Sequence, residues 1–427
     1  MLWEAIVFYT FIVISMINVI HFGLYLVGAN YYDFQQFRKS VKTRTTKRPR
    51  TIRPLVTVII PAHNEELSIT RSLDSVRKSS YRKKEIIVVD DASTDRTRAI
   101  VRQYIAAHPK ANIRLMFKRK NGGKATAMNH ALRHGAKGDI IMTLDADSLI
   151  HKNSIANAVS YFDDPLVVGV AANVRVLDST TILGLLQKFE YMIGYRSKKF
   201  FSVTNSEFII GGVASTYRTA VLKQVGFYDH DIITEDIALS LKIVARGNKE
   251  HRIVYGVNVL AMTEGVQTFK ALLRQRYRWK MGNLQSILKY RHLVASRSSL
   301  YSKMLTWYRM PMAFLGEVFL LFEPFILAYV LYLCINLGSL MLVVGAYLTI
   351  TVYLMWNIFP DEHMSFRNKL KMSTYAPIMY FIMYIMNVVQ VAAIVRCLVN
   401  YQQVLRKVKT NSTWVSPERQ GQQVSYS

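Results

Sequence analysis

The hydrophobic and polar positions of this chain follow two scales of pattern. Four long apolar stretches, residues 2–27, 312–333, 338–359 and 374–395, each run for on the order of 20 residues, which is enough for a helix to cross a ~30 Å hydrocarbon core. Between the first and second lies a long polar middle with a shorter rhythm. There, apolar runs end on polar turns and are followed by helically spaced segments. "LVTVIIPAHNEE" leads into "LSITRSLDSVRKS", "KEIIVVDDAS" into "TDRTRAIVRQYIAAH", and "IRLMFKRKNGG" into "KATAMNHALRHG", before "IIMTLDADSLI". Strands that are apolar throughout and alternate with helices predict an α/β domain with a parallel sheet covered on both faces. No internal repeat is present.

In such sheets ligands bind beyond the carboxyl ends of the strands, and here each strand ends on polar residues: His63, Asn64 and Glu65; Asp90 and Asp91; Asp145 and Asp147. Asp145 and Asp147 are two apart, so on a strand they share a side. Carboxylates that close raise each other's pKa unless a cation stands between them. Two readings compete. Ser93 can cap a helix beginning near Asp95, and the acids can be turn formers. Alternatively, the acids hold a hard divalent cation whose shell is completed by phosphate oxygens, with Gly122, Gly123 and Lys124 as a loop and cation suited to a diphosphate. Further on, Glu235 and Asp236 begin a helix behind Thr234, a candidate cap. They either complement its dipole or supply a general base, Asp236. "RQRYRWKMGN" puts Gln275, Arg278 and Trp279 on one helical face, either as a membrane-interface anchor or as a ligand-holding face.

Charge changes the picture. The net charge is +27, from 55 Lys+Arg against 28 Asp+Glu, in a chain that is 51% hydrophobic. That pairing is foreign to an ordinary soluble enzyme. Basic runs sit beside the apolar stretches, "FRKSVKTRTTKRPR" after the first and "YQQVLRKVK" after the last. This position favours lipid over nucleic acid as the partner. The positive-inside rule then places the polar middle, residues 53–302, in the cytoplasm. The first stretch lacks a basic n-region and a cleavage site and reads as a retained anchor. Cys334 and Cys397 have no metal spacing and read as membrane packing. One count does not close: basic flanks at both ends imply a cytoplasmic C-terminus, but three crossings after a cytoplasmic middle end outside. One stretch must be a hairpin or re-entrant, or the tail is external. Glu317 and Glu323 lie within the second stretch, where a lipid-facing carboxylate is costly. They serve either helix packing or, with Tyr308, Tyr329 and Trp356, a sugar-lined path.

The series "PAHNEE", "VVDDASTD", "GGKATAMN", "LDADS", "TED" and "QRYRW" resembles the processive inverting family 2 glycosyltransferases, which include the cellulose, chitin, hyaluronan and poly-N-acetylglucosamine synthases. "IITED", "GFYDHD" and "STWVSPER" look most like the last of these. The resemblance covers roughly residues 54–283. It implies a GT-A nucleotide-sugar-binding domain, mostly parallel in its sheet, inserted between transmembrane helices of a multi-pass cell-membrane protein. The expected divisions are a transmembrane helix at 1–28, a basic juxtamembrane linker at 29–53, and a cytoplasmic GT-A domain at 54–270. Interfacial amphipathic helices with QxxRW follow at 271–310, then transmembrane helices at 311–398 with an interfacial segment at 361–372, and a basic tail at 399–427. By resemblance, Pro61, His63, Glu65 and Asp91 line the uridine pocket with Lys124 close by. Asp145 faces the ribose and the metal, Asp147 ligates Mg²⁺ or Mn²⁺, and Asp236, with Glu235 beside it, takes the proton of the acceptor hydroxyl. Gln275, Arg278 and Trp279 hold the diphosphate and the acceptor sugar. The implied partners are a UDP-sugar donor, a growing polysaccharide, membrane lipids and an accessory membrane subunit. No nucleic acid is among them. The implied activity is polymerisation of a UDP-sugar, UDP-N-acetylglucosamine on this likeness. Two departures touch the acceptor: "VLAMTEGVQTFKALL" stands where the likeness has a Trp and a Pro-Glu-Thr, and "RWKMGN" replaces "RWAQGG". The alternatives are transfer of one or few sugars to a lipid carrier, and a non-catalytic nucleotide-binding scaffold. Retention of Asp91, Asp145, Asp147 and Asp236 opposes the scaffold.

Overall fold

In the computed structural model, which describes residues 2–45, 53–177, 181–336, 340–361 and 363–405, the short apolar runs are strands. They are β1 Val56–Ala62, β2 Lys84–Asp90, β3 Ile113–Phe117, β4 Ile140–Thr143, β5 Leu149–Ile150, β6 Val167–Val176, β7 Ser215–Arg218 and β8 Arg252–Thr263. They form one eight-stranded sheet in the order β3-β2-β1-β4-β7-β6-β8-β5. β1 to β4 run parallel, as does the pair β6–β8. The cause is legible in β1 and β2: Ile59, Ile87 and Val89 enter one core, while Val58, Ile60, Ile86 and Val88 enter the other. Alternating positions are apolar on both faces, so both faces must be covered. This is the GT-A fold, with a mostly parallel sheet. β7 is antiparallel to β4 and to β6, an insertion that strict strand–helix alternation does not foretell.

β4 stops at Thr143, so Asp145 and Asp147 stand on the turn after the strand, not on the strand itself. The Ser148 N–H closes that turn on the Asp145 carbonyl (3.0 Å), and Ser72 Oγ reaches the carbonyls of Ala146 (2.8 Å) and Ser148. Helix Thr97–Ala107 begins later than Asp95, and Ser93 accepts from the Asn64 N–H (3.0 Å) in place of capping it.

The N-terminal helix, Leu2–Thr45, does not end near residue 28; the first part of the basic run continues it. Positions 46–52 and 406–427, the latter with "STWVSPER", lie outside the described residues, as does the side chain of Cys334. Helix Ile182–Val203 seats the N-terminal helix on the domain. Its buried Arg196 reaches Asn30 (3.3 Å) and Asn357 (2.8 Å), and Lys199 pairs with Asp33 (2.6 Å). Among the described residues three segments are long and apolar enough to cross a membrane: Ala5–Arg38, Met304–Leu333 and Phe381–Val399. The remaining apolar stretch forms helix Leu340–Ile358.

Candidate active site

The polar ends of β1, β2 and β4 converge at one edge of the sheet. Asp91, wholly buried beyond β2, accepts from Lys118 Nζ (2.6 Å) and from the N–H groups of Gly122 (3.2 Å) and Gly123 (2.8 Å). One carboxylate thus folds the glycine loop back on itself, with Gly123 at φ +85°, where a side chain would be strained. The His63 ring is clamped between strand end and loop: Nδ1 lies 2.9 Å from the Asp91 carbonyl and Nε2 3.1 Å from the Asn121 amide. Pro61 is buried beside Val89 of β2. Glu65 takes another part: it accepts from Ser68 Oγ (2.6 Å) at the start of helix Ile69–Arg77. Lys118 and Asn121 were not anticipated; their only trace in the sequence is the basic run before the glycine pair.

Lys124 opens helix Lys124–His134 and forms an ion pair with Asp145 Oδ1, with Glu235 Oε1 at 3.5 Å. A Cβ on Gly212 would stand 2.6 Å from Lys124 Nζ, 3.6 Å from Asp236 Oδ2 and 3.7 Å from Asp145 Oδ1. Position 212 therefore borders all three groups, and a side chain there would occupy their common space. "IIGGVAS" was the available signal, a glycine pair between apolar runs. Burial opposes the Lys124 charge, yet Asp145, Glu235 and Asp236 outweigh it and hold its pKa above the usual lysine range. Burial, and then the Glu235 charge, push the Asp236 carboxyl up to about 6, against the pull of Lys124 and the Ile237 N–H. Asp147 is buried on the same turn as Asp145 and accepts from Ser148 Oγ (2.9 Å).

Helix Phe269–Lys289 carries the QxxRW residues and packs on the segment before Asp236, where the Ile233 N–H donates to Gln285 Oε1 (3.3 Å). Thr234 precedes helix Glu235–Val244 without capping it, and its Oγ1 is buried with no partner among the described residues. Gly282 packs against that threonine so closely that a Cβ would overlap its side chain. The two segments are thereby locked together. Gln275 likewise buries an unpartnered Oε1. The Trp279 ring lies under Arg276 (4.2 Å), not Arg278, and Arg276 is pinned by Glu190 (2.5 Å). Arg278 is exposed and makes no ion pair among the described residues. Tyr191, next to Glu190, has its hydroxyl pushed up to about 12 by burial; Arg276 opposes this, while Glu190, Asp147 and Asp145 add to it. Lys280 pairs with Glu317 (2.6 Å), and the Asn283 amide reaches the same carboxylate (3.4 Å). Tyr308 bonds to His21, Tyr329 packs on Phe11, and Trp356 is exposed. These three do not gather around Glu317.

Asp145 and Asp147 provide hard oxygen donors beside the glycine loop. Among the described residues no group of three His, Cys, Asp or Glu could hold a metal alone. The donor set fits a divalent cation that takes its other ligands from a diphosphate and water.

Residues 57–226 match the family described as Glycosyl transferase family 2. This segment is a family 2 glycosyltransferase domain. The chain is 30% identical over 275 residues to the poly-beta-1,6-N-acetyl-D-glucosamine synthase of Staphylococcus aureus (strain COL), covering 62% of this chain and 63% of that protein. It is 29% identical over 270 residues, with the same coverage, to the synthase of that name from Staphylococcus epidermidis. The chain thus spans less than two thirds of the length of these relatives. Among solved structures, the mannosyltransferase PcManGT from Pyrobaculum calidifontis, in complex with GDP-Man and Mn²⁺, shares the fold. Its TM-score is 0.57 at 24% identity, covering 91% of this chain and 99% of that one.

Gly282→Ala should lower the melting temperature of the purified protein, at a cost of about 1–3 kcal/mol for the forced repacking. Thr234→Ala in the same chain should recover part of that loss. Two purely additive losses would show that the contact does not join the segments.

Proposed function

We propose that this chain is a membrane-embedded processive β-glycosyltransferase. It polymerises a UDP-sugar, UDP-N-acetylglucosamine, into an exported polysaccharide by an inverting, metal-dependent single displacement. The observation that carries this reading is the gathering of Lys124, Asp145 and Asp236 around Gly212, with the helix that holds Gln275 and Trp279 packed through Gly282 on Thr234. The similarity to poly-beta-1,6-N-acetyl-D-glucosamine synthases supports the choice of sugar.

In this mechanism Pro61, His63 and Asp91 shape the nucleobase side of the site, and Lys124 faces the diphosphate. Mg²⁺ or Mn²⁺ held by Asp145 and Asp147 would act as a Lewis acid on the leaving diphosphate. Arg278 adds positive charge for the same group. Gln275 and Trp279 orient the acceptor, and Asp236 takes the proton from its attacking hydroxyl. A base working near neutral pH is most effective when its pKa lies close to the operating pH, and about 6 meets that condition. Glu235 sustains that value by its charge. A single displacement inverts the anomeric carbon, so an α-linked donor gives a β-linked product. Because Lys280 and Glu317 tie the acceptor helix to helix Met310–Asn336, an elongating chain leaves the site beside a membrane helix. Transfer of one sugar to a lipid carrier uses the same chemistry and differs in its product.

Three outcomes test the reading. Asp147→Asn should abolish transfer and weaken metal-dependent nucleotide binding; full turnover in EDTA would count against the metal. The kcat/KM for transfer should rise with pH through about 6 as Asp236 loses its proton. Glu235→Gln, by removing the neighbouring charge, should move that limb to lower pH, and Asp236→Asn should cut turnover by about 10²–10⁴-fold with donor affinity retained. With a UDP-sugar, purified protein should make chains of many units. Glu317→Leu should shorten them more than it changes donor hydrolysis. A product of one sugar on a lipid at every donor concentration would replace the synthase with the single-transfer enzyme.

A further inference from the structure

Glu190 and Arg276, which meet beside the candidate site, are supported more firmly than the stability of an ion pair explains. Glu190 stands on helix Ile182–Val203, and the turns around it are held from two directions. Gln187 Nε2 donates to the Val266 carbonyl (3.0 Å), and Gln187 Oε1 accepts from the Val266 N–H (3.0 Å). Phe189 is wholly buried in a core with Leu354, Ile358 and Met379. Leu183 and Leu186 share another core with Leu272 of the QxxRW helix. One turn further along both helices, Glu190 meets Arg276 (2.5 Å). The carboxylate is thus presented by a rigid element, as a group that fixes geometry has to be. The hydroxyl of the next residue, Tyr191, feels Asp147 and Asp145 as well as Arg276 and Glu190. This part of the helix therefore borders the acid turn and the QxxRW helix together.

Arg276 is buried, its side chain 3% exposed, and its guanidinium lies 4.2 Å over the Trp279 ring. The two residues are three apart on one helix, which puts that contact within ordinary reach. An arginine free at its far end would leave it readily, because the side chain carries about 2 kcal/mol of rotamer entropy. Glu190 removes that freedom. As a stabilising device the pair is poor. Burial lifts the Glu190 carboxyl above its ordinary range in spite of Arg276 and Lys280, and Arg276 Nε is buried with no partner among the described residues. Apolar residues of similar volume often match or exceed a buried ion pair in stability, so the charges here call for another reason. Trp279, partly exposed beneath the guanidinium, supplies it.

We infer that Glu190 and Arg276 are positioning residues for the acceptor: Glu190 holds the Arg276 guanidinium on the Trp279 ring, so that the indole meets an acceptor sugar in one orientation. An indole is a large, flat and stiff surface, useful to a sugar ring only if its plane is set beforehand. Neither charged residue needs to touch the substrate, since both act through Trp279. The inference rests on the acceptor role of Trp279 in the proposed function and adds the device that orients it.

The test replaces the pair with Glu190→Leu and Arg276→Met together, which keeps the packing and removes both charges. The full chain, purified in detergent, should keep its melting temperature, its affinity for UDP and its hydrolysis of the UDP-sugar by water. Its kcat/KM for a short β-linked N-acetylglucosamine oligomer should fall by about 10–10²-fold, chiefly through KM, the order of loss expected when a positioning group moves by ~1 Å. In a chain carrying Trp3→Phe, Trp307→Phe, Trp356→Phe and Trp414→Phe, the emission of Trp279 should shift and its quenching by acrylamide should increase. Should the double variant fail to fold, Arg276→Lys, which keeps a charge for Glu190 and loses the planar guanidinium, carries the same readings. Unchanged transfer to the oligomer, unchanged quenching, or an equal loss of UDP affinity each overturns the inference. Failure of the wild-type chain to transfer sugar to any acceptor removes the proposed function instead, and the quenching still decides whether the pair covers Trp279.

Discussion

Three carboxylates, Asp145, Glu235 and Asp236, surround one ammonium, Lys124, at the edge of the sheet. Much of the site follows from that imbalance. Negative charges brought together away from water repel strongly, and one cation does not neutralise three. The protein meets part of the excess by holding a proton on Asp236 up to about pH 6. The rest is an unsatisfied demand for positive charge, which on the proposed function a divalent cation held by Asp145 and Asp147 would help to meet. The same crowding excludes a side chain at Gly212. It also explains the strand ends: only beyond the carboxyl edge of parallel strands do several loops bring polar side chains together without disturbing the apolar core.

The QxxRW helix converts this local electrostatics into a fixed geometry. Gly282 presses it on Thr234 at the start of the helix bearing Asp236, Arg276 fixes Trp279 through Glu190, and Lys280 joins it to Glu317. "RWKMGN" is a departure from the resembling synthases, yet Lys280, Gly282 and Asn283 each have a partner within this chain.

The parallel strands and their acidic ends were legible because they are local: runs such as "VTVII" and "EIIVV" fix both the strand and the covering of its two faces. The gathering of His63, Asp91 and Asp145 at one sheet edge was legible for the same reason, while Lys124 and Asp236 stand on helix starts. Contacts across the fold were not. The face of a helix can be read from spacing, but not what it meets. Spacing put Arg278 and Trp279 on one face, but it is Arg276, held by Glu190 far away in the chain, that lies over the Trp279 ring. Glu65 is tied to a helix start, because Ser68 three residues on donates to its carboxylate, a contact that its place after a strand did not foretell. β7 was missed because its direction is set by the strands on either side, not by its own four residues.

The polar atoms along the acceptor helix carry the argument one step further. Gln275 Oε1, Asn283 Oδ1 and Ser286 Oγ, with Thr234 Oγ1 beside them, are buried with no partner among the described residues. Each such group costs about 1–3 kcal/mol if left unmade, and native proteins carry few of them. Four in one neighbourhood, next to a base and a diphosphate-sized cluster of charge, are a poor design for packing alone. They are a good one for a ligand that brings many hydroxyls. On the proposed function, the unpaired polar atoms along this helix match an acceptor rich in hydroxyls, which can satisfy groups that an apolar neighbour would leave unmade.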